Sequence, residues 1–256
     1  SAASRVQRAL LPESPPSVSG VETAWTFLSC SHVAGDMFNV FSVDDHHLGV
    51  YVLDVSGHGV PAALLSVSVS RVLHPNPKRG GILRRLKLGA PGGYELVPPA
   101  QVAQELNRRF PQGSVANQYF TLIYGLLDTS TGEFRYVRAG HPSPLRLARL
   151  APFLEPVESD GGLPVGIFED TLYCDEVVQL HPGDRLFLYT DGLTEATGPE
   201  ETFGEDRLEE FLVRFRALSV ADLMDTLKAE LAAFQAGVRQ RDDVTAVCLE
   251  WRGRHA

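Results

Sequence analysis

The stretch Leu48-Gly-Val-Tyr-Val-Leu-Asp-Val-Ser-Gly-His-Gly59 decides how the rest of the chain is read. Gly49 to Val55 is mostly apolar and β-branched, as a strand covered on both faces should be. It ends on one carboxylate, Asp54, before Gly57 and Gly59, which reach backbone angles that other residues resist. Pro61 then suits the first turn of a helix, where its missing N–H would have had no partner. An ionised carboxylate at the end of a buried strand is costly unless something compensates it. A helix cap, a salt bridge or a metal ion would each do so.

Three other acidic positions share this grammar. Asp36 lies between Gly35 and a strand running from Met37 to Val43, which a turn at Asp44-Asp45 joins to the central strand. Asp191 follows Phe187-Leu-Tyr-Thr190 and precedes Gly192. Asp242-Asp243 opens a strand that runs to Glu250. Strand ends on one rim converge, and converging carboxylates repel unless a cation holds them. Oxygen donors without cysteine or clustered histidine favour magnesium or manganese over zinc. Such a set can hold two ions about 3.5–4 Å apart, the spacing that activates a water for in-line attack on phosphorus.

The elements between these sites read as strand clusters with paired helices. Strands are expected at Val21–Ser29, Tyr119–Leu127, Glu133–Ala139, Pro144–Leu150, Leu172–Leu180 and Arg185–Thr190, and helices at Pro61–Leu73, Gln101–Phe110, Asp206–Arg216 and Val220–Ala236. That alternation suggests an α+β sandwich, since parallel α/β folds alternate strand and helix more strictly. Residues 74–99 are dense in proline and glycine and read as a long loop insertion. Inside it, Lys78-Arg-Gly-Gly-Ile-Leu-Arg-Arg-Leu-Lys87 is either a solvated surface or a docking face for an acidic partner or a membrane. Ser4 to Leu11 carries apolar residues at helical spacing and stops at Pro12.

Composition narrows the function classes. Hydrophobic residues make up 44% and charged residues 21% of 256, ordinary for a globular protein. A net charge of −9 argues against general nucleic-acid binding. Cys30, Cys174 and Cys248 show no metal or disulfide spacing, which fits a reduced, cytoplasmic setting. No apolar run approaches a membrane span. The sequence starts at Ser1 without Met and reads as a piece of something longer. No cysteine sits in a Cys-x5-Arg phosphate loop, and neither a Walker sequence nor HExxH is present.

Taken in order, seven stretches resemble the metal-dependent serine/threonine phosphatases of the PPM (type 2C) class, in particular the bacterial SpoIIE/RsbU subgroup. They are Ala34-Gly-Asp-Met-Phe-Asn39, Asp54-Val-Ser-Gly-His-Gly59, Tyr119-Phe-Thr-Leu122, Ala139-Gly-His-Pro142, Gly162-Leu-Pro-Val-Gly166, Leu188-Tyr-Thr-Asp-Gly-Leu-Thr-Glu195 and Asp242-Asp-Val-Thr245. The resemblance implies a four-layer αββα sandwich, two central antiparallel sheets flanked by helices, over residues 13–256. Residues 1–12 would be a linker helix from an upstream receiver or sensor domain. It implies two manganese or magnesium ions bridged by Asp36 and Asp54, with the Val55 carbonyl beside them. Asp191 and Asp242 would complete one ion's shell, with Asp243 the alternative to Asp242. The implied reaction is hydrolysis of phosphoserine or phosphothreonine on a regulatory protein of the anti-anti-sigma (STAS) type, within a response regulator. A homodimer is left open.

His58 is either a proton donor to the leaving seryl oxygen or a structural turn residue. His141 reads as a structural loop histidine. The subgroup's first motif usually has a second glycine and a final aspartate, where Ala34 and Asn39 stand. Asn39 and the basic insertion motivate a second reading, a phosphatase-shaped adaptor that captures a regulator without chemistry. A metallohydrolase acting on small phosphate esters is a third.

Overall fold

The computed structural model describes residues 7, 9–57, 59–111, 118–150, 154–157 and 161–253. In chain order, β1 (Val21–Leu28), β2 (Met37–Ser42) and β3 (His47–Val55) lead into helix α1 (Val60–Ser70). A short hairpin, β4 (Arg84–Leu86) with β5 (Tyr94–Leu96), precedes α2 (Pro99–Arg109). Next come β6 (Phe120–Asp128), β7 (Glu133–Ala139), β8 (Leu145–Leu147), β9 (Leu154–Pro156), β10 (Glu176–Gln179) and β11 (Asp184–Tyr189). Helices α3 (Asp191–Thr194), α4 (Gly204–Arg214) and α5 (Val220–Gln235) are followed by β12 (Val244–Trp251).

The long strands form two five-stranded antiparallel sheets, β1-β12-β11-β8-β9 and β10-β7-β6-β3-β2. Their inner faces meet in a seam, where Phe38, Val50, Val52, Ile123, Leu186, Leu188, Val247 and Leu249 pack together. On the outer face of the second sheet, α1 and α2 cover Tyr51, Leu53 and Val55 with Leu65, Val102 and Leu106. On the outer face of the first, α4 and α5 cover Phe187, Ala246 and Cys248 with Leu208, Leu223 and Leu227. This is the αββα sandwich expected. Strand β3 shows why its sequence lacks polar alternation. Leu48, Val50 and Val52 enter the seam, while Tyr51, Leu53 and Val55 face the helices. Each fully buried aliphatic there contributes ~1.5–3 kcal/mol of apolar transfer.

Several local expectations need correction. The 74–99 insertion is not simply loop: it holds the β4–β5 hairpin, and Ile82 and Leu83 are buried in the helix-side core. Arg85 and Lys87 both pair with Glu95 of β5, so two of the five basic residues of this run are engaged at home. The strand expected over Leu172–Leu180 is confined to Glu176–Gln179, and that over Pro144–Leu150 to Leu145–Leu147, which pairs with β9. The short α3 and β9 were not anticipated. Of the leading helix, residues 1–6 and 8 lie outside the described residues; Gln7 is helical, and Leu10 and Leu11 pack on the core. No helix among the described residues is long and apolar enough to cross a membrane, and all three cysteines are free.

Candidate active site

Side-chain alternation sends four strand ends to one place. In β3 the inward row Val50, Val52 continues to Asp54, and in β2 the row Phe38, Val40 extends back to Asp36. In the first sheet the row Leu186, Leu188 continues to Thr190, and Val247, Leu249 extends back to Thr245 and Asp243. The end of β3 pairs with the start of β2, Leu53 opposite Met37. The end of β11 pairs with the start of β12, Tyr189 opposite Ala246. All of these positions therefore meet at one end of the seam.

There the two sheets are joined by hydrogen bonds to one carboxylate. The Thr190 and Thr245 hydroxyls donate to Asp36 Oδ2 at 2.8 and 2.6 Å. Thr190 Oγ1 also accepts the Thr245 N–H at 3.0 Å. The loop carrying Asp36 is tied down from both sides. Asp243 Oδ1 accepts the Cys30 N–H at 2.8 Å and its Oδ2 the Gly35 N–H at 2.7 Å. Gln7 Nε2 donates to the Ala34 carbonyl at 2.6 Å, and the Ala34 N–H donates back to Gln7 Oε1 at 2.8 Å. Two glycines make the close approaches possible. A Cβ at Gly35 would lie 3.2 Å from the Val55 carbonyl oxygen, and one at Gly192 only 2.0 Å from that of Asp243.

The electrostatics at Asp36 and Asp54 are those of crowded carboxylates. Burial first, then the neighbouring Asp54 charge, pushes Asp36 well above the usual carboxylate range, although Thr245 and Thr190 pull it back. Asp54 is pushed up to about 7 by burial, then by Asp191 and Asp242. Glu195 is also raised, by burial and by Asp191 and Asp242. Among the described residues no lysine or arginine makes an ion pair with Asp36 or Asp54. Like charges drawn together without a cation resist ionisation. An all-oxygen donor set of this kind fits a hard divalent cation. No three of these side chains are yet drawn close enough to hold one.

The family model described as Stage II sporulation protein E (SpoIIE) matches residues 44–252. The chain belongs to the SpoIIE family. Protein IcfG of Synechocystis is 29% identical over 96% of the chain and 40% of its own length. Phosphoserine phosphatase RsbP of Bacillus subtilis is 30% identical over 65% of the chain and 38% of its own. The chain thus spans about two fifths of the length of these curated relatives. The SiaA-PP2C domain of Pseudomonas aeruginosa superposes with a TM-score of 0.76 at 20% identity, covering 97% of this chain and 94% of that one. RsbX, solved in complex with magnesium, has the same fold at a TM-score of 0.59 and 14% identity, covering 90% of this chain and 94% of that one. The fold is that of PP2C phosphatases.

Within this SpoIIE-family domain, Asp54 lies near enough to feel Asp191 and Asp242 and to raise Asp36, and the Val55 carbonyl adjoins the Asp36 loop. Asp243 stands apart from them in role, since both its oxygens are taken by backbone N–H groups. His58 lies outside the described residues. His141 is buried, bonds Thr121 Oγ1 at 2.8 Å, and is pushed down to about 3 by burial, so it is neutral. Asn39 sits on the helix-facing side of β2 and bonds Tyr51, so it takes no charge away from the cluster. Sequence reasoning missed Thr190, Thr245, Glu195 and Gln7. The first three stand inside the recognised motifs, and their spacing from the aspartates was the available signal.

Proposed function

We propose that this domain is a metal-dependent protein serine/threonine phosphatase. One observation carries the reading: Asp36 is buried beside half-buried Asp54, both are raised in pKa, and no basic side chain among the described residues pairs with either. Asp36, Asp54, Asp191, Asp242 and the Val55 carbonyl would hold two manganese or magnesium ions, and Asp243 positions the loop that bears Asp36. Bound divalent cations would supply the positive charge that polarises a phosphoryl oxygen and lowers the pKa of water. The chain's own contribution is placement. Thr190 and Thr245 fix the plane of the Asp36 carboxylate across the two sheets. His58, between Gly57 and Gly59 in the sequence, is the candidate donor to the leaving seryl oxygen.

The substrate class is a phosphorylated regulatory protein of the anti-anti-sigma type. The name of RsbP, a phosphoserine phosphatase, supports the amino acid. The setting we propose is a cytoplasmic signalling output domain, controlled by a receiver or sensor domain ahead of residue 13. Such a substrate approaches an acidic mouth, and a basic edge would help it. Arg239 and Arg241 are exposed, lack an ion-pair partner among the described residues, and line a cavity of about 410 Å³ beside Cys30 and Ser31. Gln240 between them is anchored to the Leu28 and Asp242 carbonyls at 2.8 and 2.6 Å. The adaptor reading is set aside, because Asn39 points away from the cluster and Glu95 pairs two of the insertion's basic residues. The test is release of phosphate from a phosphoserine protein at millimolar manganese or magnesium. We expect turnover that chelation abolishes and that Asp54→Asn lowers at least a hundredfold. Turnover that survives both would refute the assignment.

A further inference from the structure

A second charged feature lies at the other end of the first sheet, on its helix-facing side. Leu147, Arg149, Pro182, Arg185, Arg216 and Arg252 are among the residues lining an open cavity of about 600 Å³. Four arginines around one cavity are notable in a chain of net charge −9. Counting along β11, six residues separate Arg185 from Asp191, or ~20 Å at the usual rise of a strand.

Arg185 forms the buried floor. Its Nε donates to Glu250 Oε2 at 2.7 Å and its Nη2 to the Leu218 carbonyl at 2.6 Å. Its side chain is only 10% exposed, and its Nη1 is buried without any acceptor. The other oxygen of Glu250 accepts from Arg252 Nε at 2.9 Å. Glu22 takes the Arg252 Nη2 at 2.6 Å. On the rim, Arg149 is exposed, lays its aliphatic stem over Gly183 and makes no ion pair among the described residues. Among the described residues Arg185 and Arg252 thus share two carboxylates, Glu22 and Glu250, and Arg149 adds a third guanidinium without one. A buried donor left unmet costs about 1–3 kcal/mol, more when charged. A tetrahedral oxyanion would answer the positive charge around this cavity, since guanidinium forks bind phosphate oxygens bidentately.

We propose that this cavity is a second ligand site, separate from the carboxylate cluster, that takes a multiply charged phosphate carried by a small molecule. Its volume falls in the range of small-molecule sites. Leu147, Ala148, Pro182 and Ala217 give it an apolar wall for whatever carries the phosphate.

The experiment is calorimetric titration of pyrophosphate into the Asp54→Asn protein in EDTA, which removes phosphate binding through metal at the other end. Expected is a submillimolar Kd that weakens at least tenfold in the Arg149→Ala/Arg216→Ala variant. Both positions are exposed, and an unchanged melting temperature shows that the variant is folded. A parallel titration with ADP tells a nucleotide from the bare ion: higher affinity than pyrophosphate assigns the nucleotide, equal or lower affinity the inorganic group. No binding of pyrophosphate, or the same Kd in the double variant, overturns the proposal.

Discussion

Asp184 and Asp36 occupy opposite ends of the same inter-sheet seam, and both are buried, at 3% and 1% exposure. Asp184 is met by its own chain. Arg146 reaches its Oδ2 at 2.7 Å, and the N–H groups of His181 and Arg149 donate to Oδ2 and Oδ1 at 2.9 Å each. Burial alone would raise its pKa, yet these partners hold it below the usual carboxylate value. Among the described residues Asp36 is met by two hydroxyls and no cation, so burial and then the facing Asp54 raise its pKa. A buried aspartate that serves the fold brings its cation along the chain. One that serves chemistry leaves the place of the cation to a ligand.

The sharpest way to break this comparison is to remove each charge in turn. Asp184→Asn removes the buried carboxylate that Arg146 and two backbone N–H groups converge on, and is expected to destabilise the fold by about 3 kcal/mol, lowering the melting temperature by roughly 6–12 °C. Metal affinity at the other end should not change; an unaltered melting curve would erase the distinction drawn here. Asp54→Asn should act in the opposite direction on the metal-free protein. Folded Asp54 titrates at about 7 against an ordinary 3.8, so its ionisation weakens the fold as pH rises through that window. The variant is therefore expected to be more stable than the parent at pH 8, by about 2–4 kcal/mol, and equal to it near pH 4. Comparing the two proteins cancels His141, whose folded value of about 3 against an ordinary 6.5 works the other way on acidification. Equal stability of the two at pH 8, read by denaturant melts, would mean that Asp54 is already compensated. The smallest effect is expected at the hydroxyls. Thr245→Val should weaken manganese binding about tenfold by calorimetry, while Thr245→Ser should retain most of it. An unchanged affinity in the valine variant would reduce Thr245 to packing.

Much of this was legible in the sequence because strand ends and glycine turns are local signals. The central strand, its hairpin partner and the four acidic stretches were readable from alternation and breakers alone. The choice within Asp242-Asp243 was not, because it depends on which face of β12 becomes the seam, and a one-residue slip reverses it. Once Val247 and Leu249 are seen to face inward, Asp243 falls on the seam side by parity, where its two oxygens anchor the loop that bears Asp36, and Asp242 is left as the ligand proposed above. The roles of Thr190 and Thr245 arise only when two sheets meet, across 154 and 209 residues of separation from Asp36. The β4–β5 hairpin escaped because three-residue strands are too short to show a period. The setting of Asn39 was not legible either, because only the pleat of β2 shows that it and Asp36 lie on opposite faces.

Strand β12, the last of the domain, lies in the interior of its sheet between β1 and β11. During synthesis the first strand must wait for a partner more than two hundred residues away, Val21 for Trp251 and Leu28 for Val244. Closing so long a loop comes late in folding. Until the ribosome has delivered that segment, Asp36 has neither Thr245 nor the Asp243 anchor beside it, so an unfinished or truncated copy would be catalytically silent by construction.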